Sequence, residues 1–201
     1  MTGLMHYTIR TVTPLVEISP VIELAEAKEH LRVDHDEDDA LIEAYLAAAQ
    51  DHIERHTSQV LTPRVMEMAV RGFPIGGRSG AAFDIPRTPV TGIEAIDYLD
   101  SDGIAAALAE EDWRWTESAA SLVRPAIAAS WPAAYDEDGS VRLTFEAGYD
   151  LGLAPGSLSS AVKLLLGTFY AQREGVITGT IATQLPGGVE ALCAPYRRVS
   201  I

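Results

Sequence analysis

The sequence has little cysteine and no long apolar run, and each shortage excludes a class of protein. Its single cysteine, Cys193, excludes an internal disulfide and a zinc site built from several cysteines. No stretch approaches the roughly 18 consecutive apolar residues that a membrane-spanning helix requires. The N-terminus lacks the basic flank and apolar block of a secretory signal. We therefore expect a protein of a reducing compartment with no membrane contact.

Positive charge is also scarce. The chain carries 29 acidic and 15 basic residues, which gives a net charge of −14. A protein that binds the phosphate backbone tightly needs clustered lysine and arginine side chains to displace counterions. The largest basic cluster in the sequence is Arg197-Arg198. This composition argues against tight nucleic-acid binding.

Negative charge is concentrated in the stretch DHDEDD, residues 34–39, which holds five carboxylates. An EF-hand loop that began at Asp34 would need glycine at its sixth position and glutamate at its twelfth. Those positions hold Asp39 and Tyr45. The stretch instead predicts a helix start, at which Asp38 or Asp39 accepts hydrogen bonds from the first free amides.

The hydrophobic pattern predicts an α+β protein with three successive parts. Residues 18–58 show helical periodicity, including one long helix from about Asp39 to His56. Residues 59–151 are rich in proline and contain the alternating segment VRLTFE and a hairpin turn at Asp102-Gly103. Residues 152–201 are helical again, and residues 1–17 form an extended N-terminal segment.

Local signals within the last part refine this prediction. Ser157 is a candidate N-cap for a helix whose apolar face ends near Phe169, and Gly175 is its candidate stop. The glycine-rich residues 175–188 predict a mobile loop. A short helical turn and a tail follow.

Candidate catalytic residues do not form a recognisable constellation. His52 and His56 share a helix face, a spacing that suits zinc, but the segment HIERH lacks glutamate directly after the first histidine. No G-x-S-x-G elbow, P-loop or G-x-G-x-x-G motif occurs. Cys193 lies in an apolar segment typical of buried packing. We assign no catalytic, cofactor-binding or metal-binding residue.

Several segments, in their order along the chain, resemble the head–tail connector (head-completion adaptor) family of long-tailed bacteriophages and gene transfer agents. They cover most of 24–174 and read LAEAKEHLRVDHDEDDALIEAYLAAAQDHIERHT, IPRTPVTGIEAIDYLDSDG, SWP, VRLTFEAGYD and AVKLLLGTFYAQRE. The resemblance implies a connector-type helical bundle with a β-rich insertion between its second and third main helices. On this basis the helical domain comprises 18–58 plus 152–201, and the insertion 59–151.

The same resemblance implies a structural role in a virion or phage-like particle, assembled in the host bacterial cytoplasm. Such proteins form a twelve-fold ring under the portal, with a head-completion or stopper protein on the tail side. DNA passes through the lumen of the ring without specific binding. Since twelve copies of a strongly acidic chain repel one another, we expect acidic side chains to face solvent or an acidic lumen.

The end of the chain contrasts with this acidity and is a candidate portal-binding segment. It combines aromatic, basic and aliphatic residues, namely Tyr196, Arg197, Arg198, Val199 and Ile201. Tyrosine and arginine are frequent anchors in protein interfaces. We expect deletion of 196–201 to abolish portal binding and to leave the fold intact.

Two other functions are compatible with the residues alone. One is a metal-dependent enzyme that uses His52, His56 and the acidic stretch, for which stoichiometric bound zinc would be the sign. The other is an acidic module that captures a basic protein or mimics DNA, which would act as a monomer or dimer rather than as a ring.

Overall fold

The computed structural model describes residues 7–14, 18–75, 81–116, 121–172 and 186–198. These residues form two units. The β unit comprises the described residues within Met1–Ile18 and Pro63–Gly148, and the helical unit those within Ser19–Thr62 and Tyr149–Ile201. Each unit is therefore built from two separate stretches of the chain.

The β unit contains two antiparallel sheets. Its strands are β1 (Tyr7–Thr11), β2 (Arg64–Val70), β3 (Phe83–Asp84), β4 (Val90–Leu99), β5 (Ala105–Ala107), β6 (Trp113–Trp115), β7 (Leu122–Pro125) and β8 (Val141–Ala147). The larger sheet has the order β1-β2-β8-β4-β5, and the smaller has the order β3-β7-β6. The N-terminal strand β1 pairs with β2 at the edge of the larger sheet.

Strand β8 lies at the centre of the larger sheet and shows why this sequence forms strands. Val141, Leu143 and Phe145 are fully buried, whereas Arg142 and Glu146, which alternate with them, are exposed. This alternation is the period of two that one buried sheet face requires. The strand predicted from VRLTFE is confirmed.

The predicted turn at Asp102-Gly103 is also confirmed, as the connection between β4 and β5. The Asp100 carboxylate accepts hydrogen bonds from the backbone N–H groups of Asp102 and Ile104, each at 2.9 Å. Gly103 has a φ of +79°, a conformation that glycine adopts without steric cost. The side-chain acceptor and the glycine together fix this hairpin.

A cluster of aromatic rings connects the two sheets. The ring of Phe73 lies 5.3 Å from Tyr98 of β4 and 6.0 Å from Phe83 of β3. Trp131 stacks on Phe73 at 5.2 Å, and its indole N–H donates to the carbonyl of Ala81 at 2.8 Å. Buried indole groups need such a partner, so this tryptophan contributes both packing and a hydrogen bond.

The helical unit contains α1 (Leu24–Leu31), α2 (Asp39–Thr57), α3 (Gly156–Ala171), α4 (Gly187–Cys193) and a 3-10 turn at Ala194–Tyr196. The long helix predicted from about Asp39 to His56 is confirmed. The buried core of the unit combines residues from all four helices: Ile22, Ala27, Ile42, Leu46, Ala49, Ile53, Leu61, Leu158, Ala161, Val162, Leu165, Leu166, Val189 and Cys193. None of the described helices is long and apolar enough to span a membrane.

Of the local predictions for residues 152–201, the helix cap is wrong, and the helix stop and the loop lie largely outside the described residues. Helix α3 begins one residue before Ser157 and has Pro155 at its N-cap, so the predicted serine cap is wrong. A proline is suited to this position, where no intrahelical N–H bond is needed. Gly175 and the predicted mobile loop lie outside the described residues, except that Gly187 and Gly188 begin α4.

Candidate functional site

The acidic stretch 34–39 leads into the first residue of α2, and a lysine and a tyrosine from other helices contact its carboxylates. Lys28 Nζ of α1 lies 2.5 Å from Asp36 Oδ1 and 2.7 Å from Asp39 Oδ1. The Tyr170 hydroxyl of α3 donates to Asp38 Oδ2 at 2.6 Å. The stretch therefore joins the start of α2 to both neighbouring helices.

The predicted role of these carboxylates as caps is only partly right. Asp38 does occupy the N-cap of α2, but its side chain makes no capping hydrogen bond among the described residues. Its carboxylate binds the Tyr170 hydroxyl instead. The Asp38 carboxylate thus binds a residue distant in sequence instead of the nearby backbone amides. The spacing of residues along the sequence does not predict this choice.

The ion pair at Lys28 makes the stability of the helical unit depend on pH. The hydrogen bond and the positive charge of Lys28 lower the pKa of Asp36. A lowered carboxyl pKa stabilises the fold above the unfolded value of about 3.9, and this stabilisation is lost as the pH falls through the folded value. We expect Lys28→Met to lower the urea midpoint at pH 7 and the difference from the wild type to shrink towards pH 2. Equal differences at both pH values would show that Lys28 acts by packing alone.

The two histidines of α2 lie near its C-terminal end without the surroundings of a metal site. Glu54, between them in sequence, accepts hydrogen bonds from Gln50 Nε2 at 3.1 Å and from the Leu61 amide at 2.9 Å. In the part of the chain that the structure describes, no three His, Cys, Asp or Glu side chains converge as metal ligands would.

His56 is instead adjacent to the C-terminal segment. Burial, followed by the charge of Arg197, lowers the pKa of His56, while Glu190 raises it and His52 lowers it further. Its Nε2 atom is buried and has no hydrogen-bond partner among the described residues. A pKa below the ordinary value of about 6.5 favours the neutral imidazole at pH 7.

A chain of hydrogen bonds holds the C-terminal segment against the end of α2. Gln59 Nε2 donates to the backbone carbonyl of Tyr196 at 3.0 Å, and Gln59 Oε1 accepts from the Tyr149 hydroxyl at 2.8 Å. The Arg198 amide donates to the carbonyl of Thr57 at 3.3 Å. Gln59 and Thr57 are both buried. Two bonds from buried partners thus fix the backbone on either side of residue 197.

The predicted portal-binding residues fall into three groups in the structure. Tyr196 is half-buried and packs against the helical core, and Arg198 is also half-buried. Arg197 is exposed, while Val199 and Ile201 lie outside the described residues. Deletion of 196–201 therefore removes packing and hydrogen bonds from the helical unit, contrary to our expectation, and a test of binding has to begin at residue 199.

Sequence reasoning missed the residues that position this segment. Gln59 and Tyr149 are 90 positions apart, and neither belongs to a motif. Their pairing depends on the tertiary structure, which brings the residue after α2 next to the residue that begins the second stretch of the helical unit. A single sequence carries no local signal for such a contact.

A family model for phage gp6-like head-tail connector proteins matches residues 21–89. This range includes α1, the acidic stretch and α2. No curated protein sequence matches the chain. The family match thus covers the first half of the helical unit and the beginning of the β unit.

Solved structures match almost the whole chain. A chain in a structure described as the neck of an empty GTA particle, computed with C6 symmetry, has 27% sequence identity and a TM-score of 0.76, over 96% of this chain and 97% of that chain. A chain in the virion of a native gene transfer agent (GTA) particle has 26% identity and a TM-score of 0.75, over 96% of each chain. One in the neck of a native GTA particle, computed with C12 symmetry, has 27% identity and a TM-score of 0.71, over 96% of this chain and 97% of that one.

These comparisons confirm the predicted resemblance to head–tail connectors of phages and gene transfer agents. Four helices and two antiparallel sheets among the described residues also confirm the α+β class. Two of the similar chains come from particle necks, and the third comes from a virion.

Proposed function

We propose that this chain is a structural, non-enzymatic connector at the head–tail interface of a phage or gene transfer agent. The observation that carries the proposal is the similarity to chains of GTA particles along 96% of its length, at 26–27% identity. The described part of the chain adds no converged metal ligands that would favour an enzyme. In this role the protein is assembled in the bacterial cytoplasm and ends in the particle.

The proposed assembly is a ring of twelve copies beneath the portal. Similar chains come from necks computed with C6 and C12 symmetry, which supports a cyclic arrangement. In such a ring each subunit presents two different complementary surfaces to its neighbours. The portal lies on the head side, and a head-completion or stopper protein lies on the tail side.

The proposed domain arrangement is a connector-type helical bundle interrupted by a β-rich insertion. Strands β2 to β8 lie between α2 and α3 in sequence, and the division into a helical and a β unit supports this arrangement. Strand β1 adds part of the N-terminal segment to the larger sheet.

The proposed lumen is acidic and lets DNA pass without specific binding. The net charge of −14 supports this, because twelve copies together bring a large negative charge to the ring. Phosphate groups that meet carboxylates gain no counterion release, so DNA does not adhere.

The C-terminal residues Tyr196, Arg197, Arg198, Val199 and Ile201 are proposed to engage the portal. Since 196–198 are part of the helical unit, the truncation that tests the tail removes only 199–201 and keeps 196–198 in place. We expect this truncation to weaken binding to the purified portal oligomer of the same particle, because it removes the aliphatic side chains of Val199 and Ile201 and keeps Tyr196, Arg197 and Arg198. Binding is measured by biolayer interferometry.

The control for this truncation is the thermal unfolding midpoint, which we expect to match that of the full chain. Undiminished portal binding by a truncated protein with an unchanged midpoint would refute the role of Val199 and Ile201 in portal binding.

A further inference from the structure

The outward side of α3 differs from that of the other helices because it exposes no carboxylate. Lys163 is the single charged residue of this 16-residue helix, and its Nζ atom lies 2.5 Å from Glu26 of α1. Helices α1, α2 and α4 each expose a carboxylate, at Glu29, Glu43 and Glu190 respectively. A surface helix normally turns charged side chains towards water, so this outward side has the composition of a covered surface.

We name the surface formed by Ser160, Leu164 and Ala171 the outer α3 face. These exposed residues are four and seven positions apart, a spacing that places them on one side of the helix. Leu164 is 44% exposed. The Thr168 hydroxyl donates to the backbone carbonyl of Leu164 at 3.0 Å, so this polar group is satisfied within the helix. The outer α3 face therefore offers an apolar side chain between small residues.

Two more leucines are exposed in the segment that leads into α3. Leu151 is 60% exposed and Leu153 is 69% exposed. Together with Leu164 they are the large exposed apolar side chains in the described part of the helical unit. All three thus belong to the short range 151–164, whereas the exposed parts of α1, α2 and α4 contribute none. Exposed apolar side chains that are concentrated in one part of a protein are typical of a contact surface.

The charge of the chain restricts the surfaces through which two copies can meet. Each copy has a net charge of −14, so surfaces that expose carboxylates repel one another. The outer α3 face exposes none, and its small residues Ser160 and Ala171 allow another helix to approach to the usual distance of about 8–10 Å between axes. Similar chains come from necks computed with C6 and C12 symmetry, which supports a neighbour of the same kind.

We propose that the outer α3 face, together with Leu151 and Leu153, binds a second copy of this chain in the ring. This inference rests on the proposed function and adds to it the surface through which neighbouring subunits meet. A closed ring needs two different surfaces on each subunit, so the outer α3 face meets another part of its neighbour. Removal of the three leucine side chains from water favours the contact.

The test places a carboxylate on the outer α3 face. Leu164→Glu replaces its apolar side chain, and Ser160→Glu adds the same charge to the same face without removing an apolar group. Ala25→Glu is the matched control, because it adds this charge to the exposed side of α1, which already carries Glu26 and Glu29. Self-association of the full chain is measured by sedimentation velocity over a concentration series, with and without the purified portal oligomer.

We expect both α3 variants to weaken association between copies about tenfold or more, because the contact would bury a carboxylate without a partner. Ala25→Glu is expected to stay within about twofold of the wild type. The thermal unfolding midpoint of the dissociated subunit is expected to be the same for Ser160→Glu as for the wild type, since this residue is exposed.

The outcomes separate this inference from the proposed function. Rings that both α3 variants form as readily as the wild type would overturn the inference alone, as would equal losses in the control. A lowered midpoint for dissociated Ser160→Glu would also overturn it, because the face would then pack within its own chain. Self-association that both variants lose, in a protein that never binds the portal, would support the inference and refute the portal as partner. A wild type that stays monomeric with and without the portal would overturn both.

Discussion

Replacement of Leu166 by alanine is expected to destabilise the helical unit by about 2–5 kcal/mol, the cost of a large-to-small change in a packed core. Leu166 of α3 is fully buried in the core that all four helices share. The alanine variant loses the transfer free energy of the removed methyl groups and leaves a cavity that the surrounding helices fill only in part. The measurement is the free energy of unfolding from urea titration, followed by circular dichroism.

The same helix supplies a matched control. Leu164 is 44% exposed, so Leu164→Ala removes the same atoms from a position that buries far less of them. We expect its effect to stay within about 1 kcal/mol. Similar losses in the two variants would mean that α3 packs with a different face than the structure shows.

The second large effect is expected at Gln50, a polar residue buried on α2. Its Oε1 atom accepts from the Val21 amide at 2.9 Å, and its Nε2 donates to Glu54 Oε1 at 3.1 Å and to Thr62 Oγ1 at 3.3 Å. The side chain thus ties the segments before and after α2 to the middle of that helix. A buried polar group that loses its partner costs more than the hydrogen bond itself contributes.

Gln50→Ala is therefore expected to destabilise the protein by about 2–4 kcal/mol, because it removes three hydrogen bonds of a buried side chain, including the one that the Val21 amide donates. Glu43→Ala on the exposed side of the same helix is the control, with an expected change within about 0.5 kcal/mol. Hydrogen exchange adds a local measurement, in which the Val21 amide exchanges faster in the Gln50 variant. A small effect together with unchanged exchange at Val21 would contradict the proposed role of Gln50.

The contrast between Leu166 and Gln50 shows what the sequence made predictable. The apolar residues of α2 and α3 recur at helical spacing, so their burial follows from periodicity. Gln50 lies on the same buried side of α2 but reads as an ordinary polar helix residue. Its burial depends on acceptors and donors that come from loops, which periodicity does not describe.

In the sheets, too, local features could be predicted from the sequence, but the pairing of distant strands could not. The alternation in β8 and the turn at Asp102-Gly103 are local signals, and both predictions are confirmed. The pairing of β1 with β2 joins residues more than fifty positions apart. A strand pattern predicts extended conformation, but the choice of its neighbour depends on which edges the rest of the fold leaves open.

The unusual composition of the C-terminal segment could be recognised from the sequence, but its contacts with the rest of the helical unit could not. An aromatic and basic ending in an acidic chain predicts an interface from composition alone. The structure adds that the ending is anchored through Gln59 and Thr57, and that the charge of Arg197 helps to lower the pKa of His56. These contacts turn a tail into part of a surface, and they result from tertiary packing.

The proposed function depends on self-association and on a portal partner, so imaging tests it most directly. Purified protein is mixed with the portal oligomer of the same particle and examined by electron microscopy with two-dimensional class averaging. A closed ring of twelve copies stacked coaxially on the portal is the expected result. Single subunits or dimers that never associate with the portal, above all with stoichiometric bound zinc, would contradict it.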